Sequence, residues 1–254
     1  MTRVVVVTGA SRGIGEAVTL AAAARRAALV ITARGVDRLQ AVAAEARDAG
    51  APMVTVVAGD MAEPATARHV VDAATKSHGG IDALVNNAGI LEPLGPVAGT
   101  GFEDWQRHMA VNVVAPAALT ALALPALRER RGRIVNVSSG AAVRAVEGWA
   151  AYCAGKAALN QLNAVTAAEE PDVTCVAFSP GMTDTDMQAL IRDRGPGRMP
   201  EEVLERFLAA HREGELRAVG EVGAAIAALA LEAPPEMSGE FVAIDDPRVR
   251  DLVI

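Results

Sequence analysis

Tyrosine occurs once in this 254-residue sequence, at 152, and lysine twice, at 76 and 156, so nearly all of the positive charge is carried by arginine. Cysteine is as scarce. Cys153 and Cys175 are too few for a disulfide framework, which suits two thiols in a reducing compartment and an expectation of a cytoplasmic protein. A basic excess is missing too: the net charge is -7, and the arginines are scattered among carboxylates. The densest basic run, RERRGR at 128–133, reads as a solvated helix end. Nucleic-acid binding needs a basic face, so that class is excluded. Long apolar runs are absent as well. The run in MTRVVVVTGA is too short for a signal-peptide core, and VVAPAALTALALPAL at 113–127 falls short of the roughly 20 residues of a membrane span and holds two prolines. It reads as a helix packed against protein. His69, His78, His108 and His211 are dispersed without partners at metal-ligand spacing, so no metal site is expected.

What is present is a regular alternation. Short β-branched runs, RVVVVT (3–8), ALVITA (28–33), MVTVVA (53–58), IDALVNN (81–87), GRIVNVS (132–138), VTCVAF (173–178) and EFVAI (240–244), are separated by helix-length segments. Continuous apolar runs of this kind mark strands buried on both faces, as in parallel sheets. The segment DRLQAVAAEARDAG opens with Asp37 as an expected cap and closes at Gly50. The pattern implies an α/β fold in one domain, residues 1–254: a doubly wound, seven-stranded parallel sheet with helices on both faces. One stretch breaks the rhythm. From Met182 to about Gly214, two short helical pieces flank a Gly-Pro-Gly bend, and an insertion of this length beside the end of a strand suits a substrate lid.

TGASRGIG (8–15) follows the first strand and opens the first helix. Gly9, Gly13 and Gly15 allow a tight turn and close approach to a pyrophosphate, which the helix amino terminus attracts. The plainer alternative is a βα turn with no ligand. An NAD-selective site places a carboxylate at the end of the second strand, whereas this strand ends in Arg34, with no acid before Asp37. Arg12 in the glycine loop can converge on the same point. Two guanidinium forks suit a 2'-phosphate and hence NADP(H), unless either arginine is merely solvated.

Tyr152 and Lys156 lie four apart, so on a helix they face one site. A phenol has a reference pKa of about 10, and a close cation favours the phenolate. Lowering it by about two units takes roughly 2.7 kcal/mol, which an ammonium and a cationic nicotinamide ring in a dry cleft could supply. Such a phenol suits proton transfer at an oxygen while hydride moves at the adjacent carbon. Alone, Tyr-x-x-x-Lys is also any helix face. Here Ser139 ends a strand thirteen residues earlier, NNAG (86–89) ends the fourth strand, and Asn112 follows in a helical segment.

These motifs in this order resemble the short-chain dehydrogenases/reductases across nearly the whole chain, from TGASRGIG through GD (59–60), NNAG, Asn112, Ser139 and YCAGK to SPGMTDTDM (179–187). The resemblance implies that Tyr152 is the general acid/base, Ser139 orients the carbonyl, Lys156 binds the nicotinamide ribose and tunes the tyrosine, and Asn112 holds a water in a proton relay. It implies cofactor contacts from Gly9, Ser11, Arg12, Gly13, Ile14, Gly15, Arg34, Asp60, Asn87, Ala88, Gly89, Tyr152, Lys156, Pro180, Gly181, Thr183 and Thr185. It also implies a homodimer or homotetramer.

Within that family, NAGILEPLGPV, the Trp before AAYCAGKAALN, DTDMQALIR and SGEFVAIDDP look like fungal and bacterial reductases related to sepiapterin reductase, some of which reduce benzil. A pterin-holding aspartate is replaced by Ala243, which favours an apolar ketone or diketone. Leu91, Val143, Trp149, Met182, Met187 and Leu190 would surround the reacting oxygen with apolar surface, although Trp149 can equally be core or interface. The expected activity is an NADPH-dependent carbonyl reductase acting on a small-molecule carbonyl substrate. The rivals are a β-ketoacyl-carrier-protein reductase, a sepiapterin reductase, and a non-catalytic NADP-binding regulatory or scaffold protein, which would have no need of the Ser-Tyr-Lys set.

Overall fold

The computed structural model describes residues 2–253. Along the chain run β1 (Val4–Thr8), α1 (Gly13–Ala24), β2 (Ala28–Ala33), α2 (Val36–Asp48), β3 (Val54–Ala58), α3 (Pro64–His78), β4 (Ala83–Asn86), α4 (Phe102–Met109), α5 (Ala115–Arg130) and β5 (Arg133–Val137). There follow α6 (Ala150–Glu169), β6 (Thr174–Ser179), α7 (Asp186–Arg194), α8 (Glu201–Arg212), α9 (Val219–Glu232), β7 (Phe241–Ala243) and α10 (Pro247–Val253). The strands form one sheet in the order β3-β2-β1-β4-β5-β6-β7, every neighbouring pair parallel.

Strand alternation builds two cores. Val5 and Val7 of β1 point to the layer that contains α1, α2 and α9, while Val4 and Val6 point to the layer of α3 and α5. Because both faces are covered, most strand residues are apolar, which is why the strands stand out in the sequence. The order reverses between β1 and β4, and an open α/β sheet binds ligands beyond the carboxyl ends of the strands at such a switch point.

Two local expectations change. Asp37 lies inside the first turn of α2; Gly35 takes the N-cap position, because the helix starts almost directly after β2. The apolar stretch 113–127 belongs to a continuous helical run from Phe102 to Arg130, joined through a π-helical turn at Ala110–Val114. By length and composition this run could cross a membrane, yet Ala115, Leu119, Ala123 and Leu127 are buried against the sheet. The insertion after β6 folds into α7 and α8 as expected.

Candidate active site

The glycine turn and the loop after β4 are built as one unit. The Thr8 hydroxyl accepts from the backbone N–H groups of Asn87 and Ala88, both at 3.0 Å, and the Asn87 carboxamide donates to the Thr8 carbonyl at 2.8 Å. Gly9 and Gly13 adopt φ of +67° and +56°, and a Cβ on Gly15 would lie 2.2 Å from the Gly9 carbonyl oxygen, so backbone fills the space a side chain would need. At the start of α1, Arg12 is extended and its side chain makes no cap. The first-turn N–H groups are left without a side-chain acceptor, and such a helix end takes an anion such as pyrophosphate. Ser11 and Ile14 are half-buried in this turn, and Ala88 packs against the sheet core.

The charges around it are arranged differently from the sequence expectation. Arg12 does not converge with Arg34; its guanidinium pairs with Asp186 at 2.9 Å, because the first turn of α7 sets a carboxylate opposite the glycine loop. An arginine absent from the expected set, Arg38, reaches the loop instead. From the first turn of α2 it donates to the Ser11 carbonyl at 3.3 Å and pairs with Glu16 at 2.8 Å. Its spacing of four from Arg34 on a helix start was the available signal. Asp60 accepts from the Ala62 N–H at 2.9 Å and pairs with Arg107 at 2.7 Å. Burial raises its pKa, but Ala62, Arg107 and Arg34 together outweigh that and hold it below the usual range.

Ser139, Tyr152 and Lys156 come together at the carboxyl ends of β5 and α6's first turns. Ser139 is extended and caps a short 3₁₀ turn by accepting from the Ala141 N–H at 3.1 Å, and its hydroxyl is near enough to the Tyr152 phenol to favour the phenolate. Tyr152 and Lys156 are both buried; the lysine Nζ sits 5.6 Å from the phenol ring centroid and donates to the Val137 carbonyl at 2.6 Å. The expected lowering of the phenol pKa is reversed by these residues: burial pushes Tyr152 up to about 12, against a smaller lowering from Ser139. Burial likewise pushes Lys156 down to about 8. With its ammonium spent on a carbonyl and both groups desolvated, the lysine does not offset the phenol's loss of water.

Asn112, on the π-helical turn, is buried and clamped by Ile90: its Oδ1 accepts from the Ile90 N–H at 2.9 Å and its Nδ2 donates to the Ile90 carbonyl at 2.8 Å. A Cβ on Gly89 would lie 2.8 Å from Asn112 Oδ1 and 3.7 Å from Lys156 Nζ, so both groups flank that glycine. Beyond β6, Gly181 has φ +73°, Thr183 is buried and bridges to Arg217, and the methyl of Thr185 lies over Gly13. Pro180 is buried at the head of this loop.

The apolar residues divide. Leu91 and Trp149 are buried with Tyr152 in one cluster, against which Met187 and Leu190 are partly buried, while Val143 and Met182 are exposed. The cluster also takes Ile191, Met199, Leu204 and Phe207 from the inserted segment 182–214, none of them picked out by sequence. Trp149 is core rather than open wall: it stacks on Phe207, and its Nε1–H points to the Met199 sulfur at 3.4 Å.

The chain matches the short chain dehydrogenase family over residues 3–195. It belongs to that family. A solved short chain dehydrogenase/reductase of Saccharomyces cerevisiae superposes with a TM-score of 0.93 at 34% identity, over 98% of this chain and 99% of that one. A benzil reductase, (S)-benzoin forming, of Saccharomyces cerevisiae is 34% identical over 264 residues, 98% of each chain. One from Bacillus cereus is 30% identical over 251 residues, 96% of this chain and all of that one. The short-chain oxidoreductase fold and the likeness to the benzil-reducing branch are thus established; the seven-stranded sheet matches the expected fold.

Proposed function

We propose that this short-chain oxidoreductase is an NADP(H)-dependent carbonyl reductase that reduces an apolar ketone or diketone of the benzil type. The observation that carries the reading is the cluster of buried Tyr152 and Lys156 with half-buried Ser139, beside a glycine cradle with an uncapped helix end. The donor set fits the cofactor: glycines leave room for the pyrophosphate, and Arg34 and Arg38, rather than a carboxylate, stand at the ribose end. When bound, the nicotinamide supplies the hydride.

The chain's residues do the rest. The Ser139 hydroxyl donates to the carbonyl oxygen and orients it, and Tyr152 gives that oxygen its proton. A phenol held up to about 12 keeps its proton at neutral pH, which suits the reducing direction. Lys156 anchors the ribose side of the site, and Asn112 fixes the backbone beside it. The segment 182–214 closes over the substrate with an apolar lining. The resemblance to benzil reductases supports a diketone over a charged carrier-bound substrate. We further read the protein as a cytoplasmic homodimer or homotetramer, for which exposed Leu122 on α5 and Val165 on α6 supply apolar contact. Incubating the full chain with NADPH or NADH against benzil, quinones and aldehydes tests the reading. Consumption of NADPH with benzil supports it; cofactor binding without turnover of any carbonyl overturns it.

A further inference from the structure

His108 ends α4 and is fully buried, yet nothing in the proposed chemistry uses it. Its two ring nitrogens are both occupied. Nδ1 lies 2.7 Å from the Glu92 carbonyl oxygen, and Nε2 lies 2.7 Å from the Asn112 Nδ2. A carbonyl only accepts, so Nδ1 carries the hydrogen. The orientation of Asn112 is fixed separately, because its Oδ1 faces the Ile90 N–H and its Nδ2 the Ile90 carbonyl. The second hydrogen of that Nδ2 therefore points at Nε2, which must be bare. The tautomer of one residue and the amide orientation of the other, each set by its own backbone partner, are complementary.

The ring also touches α6. Its edge meets the Tyr152 ring at 6.2 Å between centroids and 79° between planes, and a Cβ on Gly155 would lie 3.1 Å from Nε2. The glycine in YCAGK thus leaves space for the imidazole between Tyr152 and Lys156. The groups facing His108 are Lys156 and Tyr152 from α6, the Asn112 carboxamide, and Glu92 through its backbone, its carboxylate being turned to Arg194. Burial disfavours an imidazolium, the Glu92 carbonyl opposes it less strongly, and the Lys156 charge adds a smaller push in the direction of burial. A protonated ring would set N–H against N–H at Asn112.

We propose that His108 is a positioning residue for the reaction: as a neutral imidazole with hydrogen on Nδ1, it locks the Asn112 carboxamide and braces the Tyr152 ring in the geometry of proton transfer. The role rests on the reading of Tyr152 as the acid. A displacement of about 1 Å in such a group can lower turnover by about 100-fold.

Three variants of the full chain separate positioning from packing. Glutamine carries an acceptor about as far from the backbone as Nε2, asparagine reaches only as far as Nδ1, and leucine removes both contacts. The expected result with benzil and NADPH is a loss of kcat of about 10- to 100-fold in His108→Leu and His108→Asn, recovery of most of it in His108→Gln, and an unchanged KM for NADPH. Wild-type kcat in the leucine variant, or equal losses in all three, overturns the proposal. Nitrogen-15 spectra of the wild-type imidazole give an answer even if the variants fold poorly: a protonated Nδ1 and bare Nε2 through neutral pH are expected, and an Nε2–H tautomer or an imidazolium overturns it. The reading beneath it is tested apart. Full turnover in Tyr152→Phe removes the acid itself, whereas an inactive Tyr152→Phe beside a fully active His108→Leu removes only the role of His108.

Discussion

Trp149 and Phe207 stack with ring centroids 4.9 Å apart and planes 29° from parallel, which ties the start of α6 to α8, the second helix of the inserted segment proposed as a lid. The other edge of Trp149 meets the Tyr152 ring at 5.5 Å. An aromatic chain thus runs from the candidate acid to the lid.

Removing its outer member tests that link. Phe207→Ala is expected to lower stability by about 3–5 kcal/mol through the cavity it leaves. It should raise KM for benzil more than for a small aliphatic ketone and leave KM for NADPH unchanged. Equal shifts for both ketones would reduce the stack to ordinary core.

Tyr152→Phe keeps the ring and removes only the hydroxyl. Turnover with benzil is expected to fall by about 10² to 10⁴-fold, the usual contribution of general acid catalysis, while the affinity for NADPH measured by fluorescence titration stays close to wild type.

Selectivity between the two nicotinamide cofactors should lie with the arginines at the ribose end. Arg34→Ala and Arg38→Ala are each expected to raise KM for NADPH by about tenfold, the scale of one lost charge-assisted hydrogen bond. KM for NADH should barely move. A parallel loss for both cofactors would assign the arginines to the fold instead.

Stability should carry the signature of the buried lysine. Its pKa is pushed down from 10.5 to about 8, so in that interval the unfolded chain binds the extra proton and folding stability rises with pH. Tyr152 acts in the opposite sense and higher up: its pKa is raised from 10.0 to about 12, so stability is lost as pH climbs through that window. Cys175, pushed up by burial from 9.0 to about 12, acts in the same sense as Tyr152 from pH 9, so between pH 8 and 9 the lysine acts alone. Denaturant titrations of wild type and Lys156→Met should shift in favour of the wild type across that range; a constant difference would mean the lysine is not desolvated.

Much of this was legible in the sequence because it is written locally. The strands are apolar on both faces, so runs such as ALVITA at 28–33 match β2 residue for residue. Tyr152 and Lys156 share a helix face by spacing alone. What escaped depends on partners distant in sequence. Arg12 turns to a carboxylate 174 positions away, Arg38 comes to the glycine loop through the packing of α2, and Phe207 meets Trp149 only once α8 folds back. The direction of the phenol pKa was missed for a related reason. Spacing reveals a neighbouring ammonium but not how completely both groups lose water, and here desolvation wins.

Helix α7 is held at its two ends by Arg12–Asp186 and Arg194–Glu92, whose side chains are largely in solvent. Counter-ions shield such contacts over about 8 Å at physiological ionic strength, while the desolvated interior beneath is shielded far less. On the proposed reading of this segment as a substrate lid, added electrolyte is expected to loosen the helix and to make product escape sensitive to the ionic medium in a way that the buried bond-making groups are not.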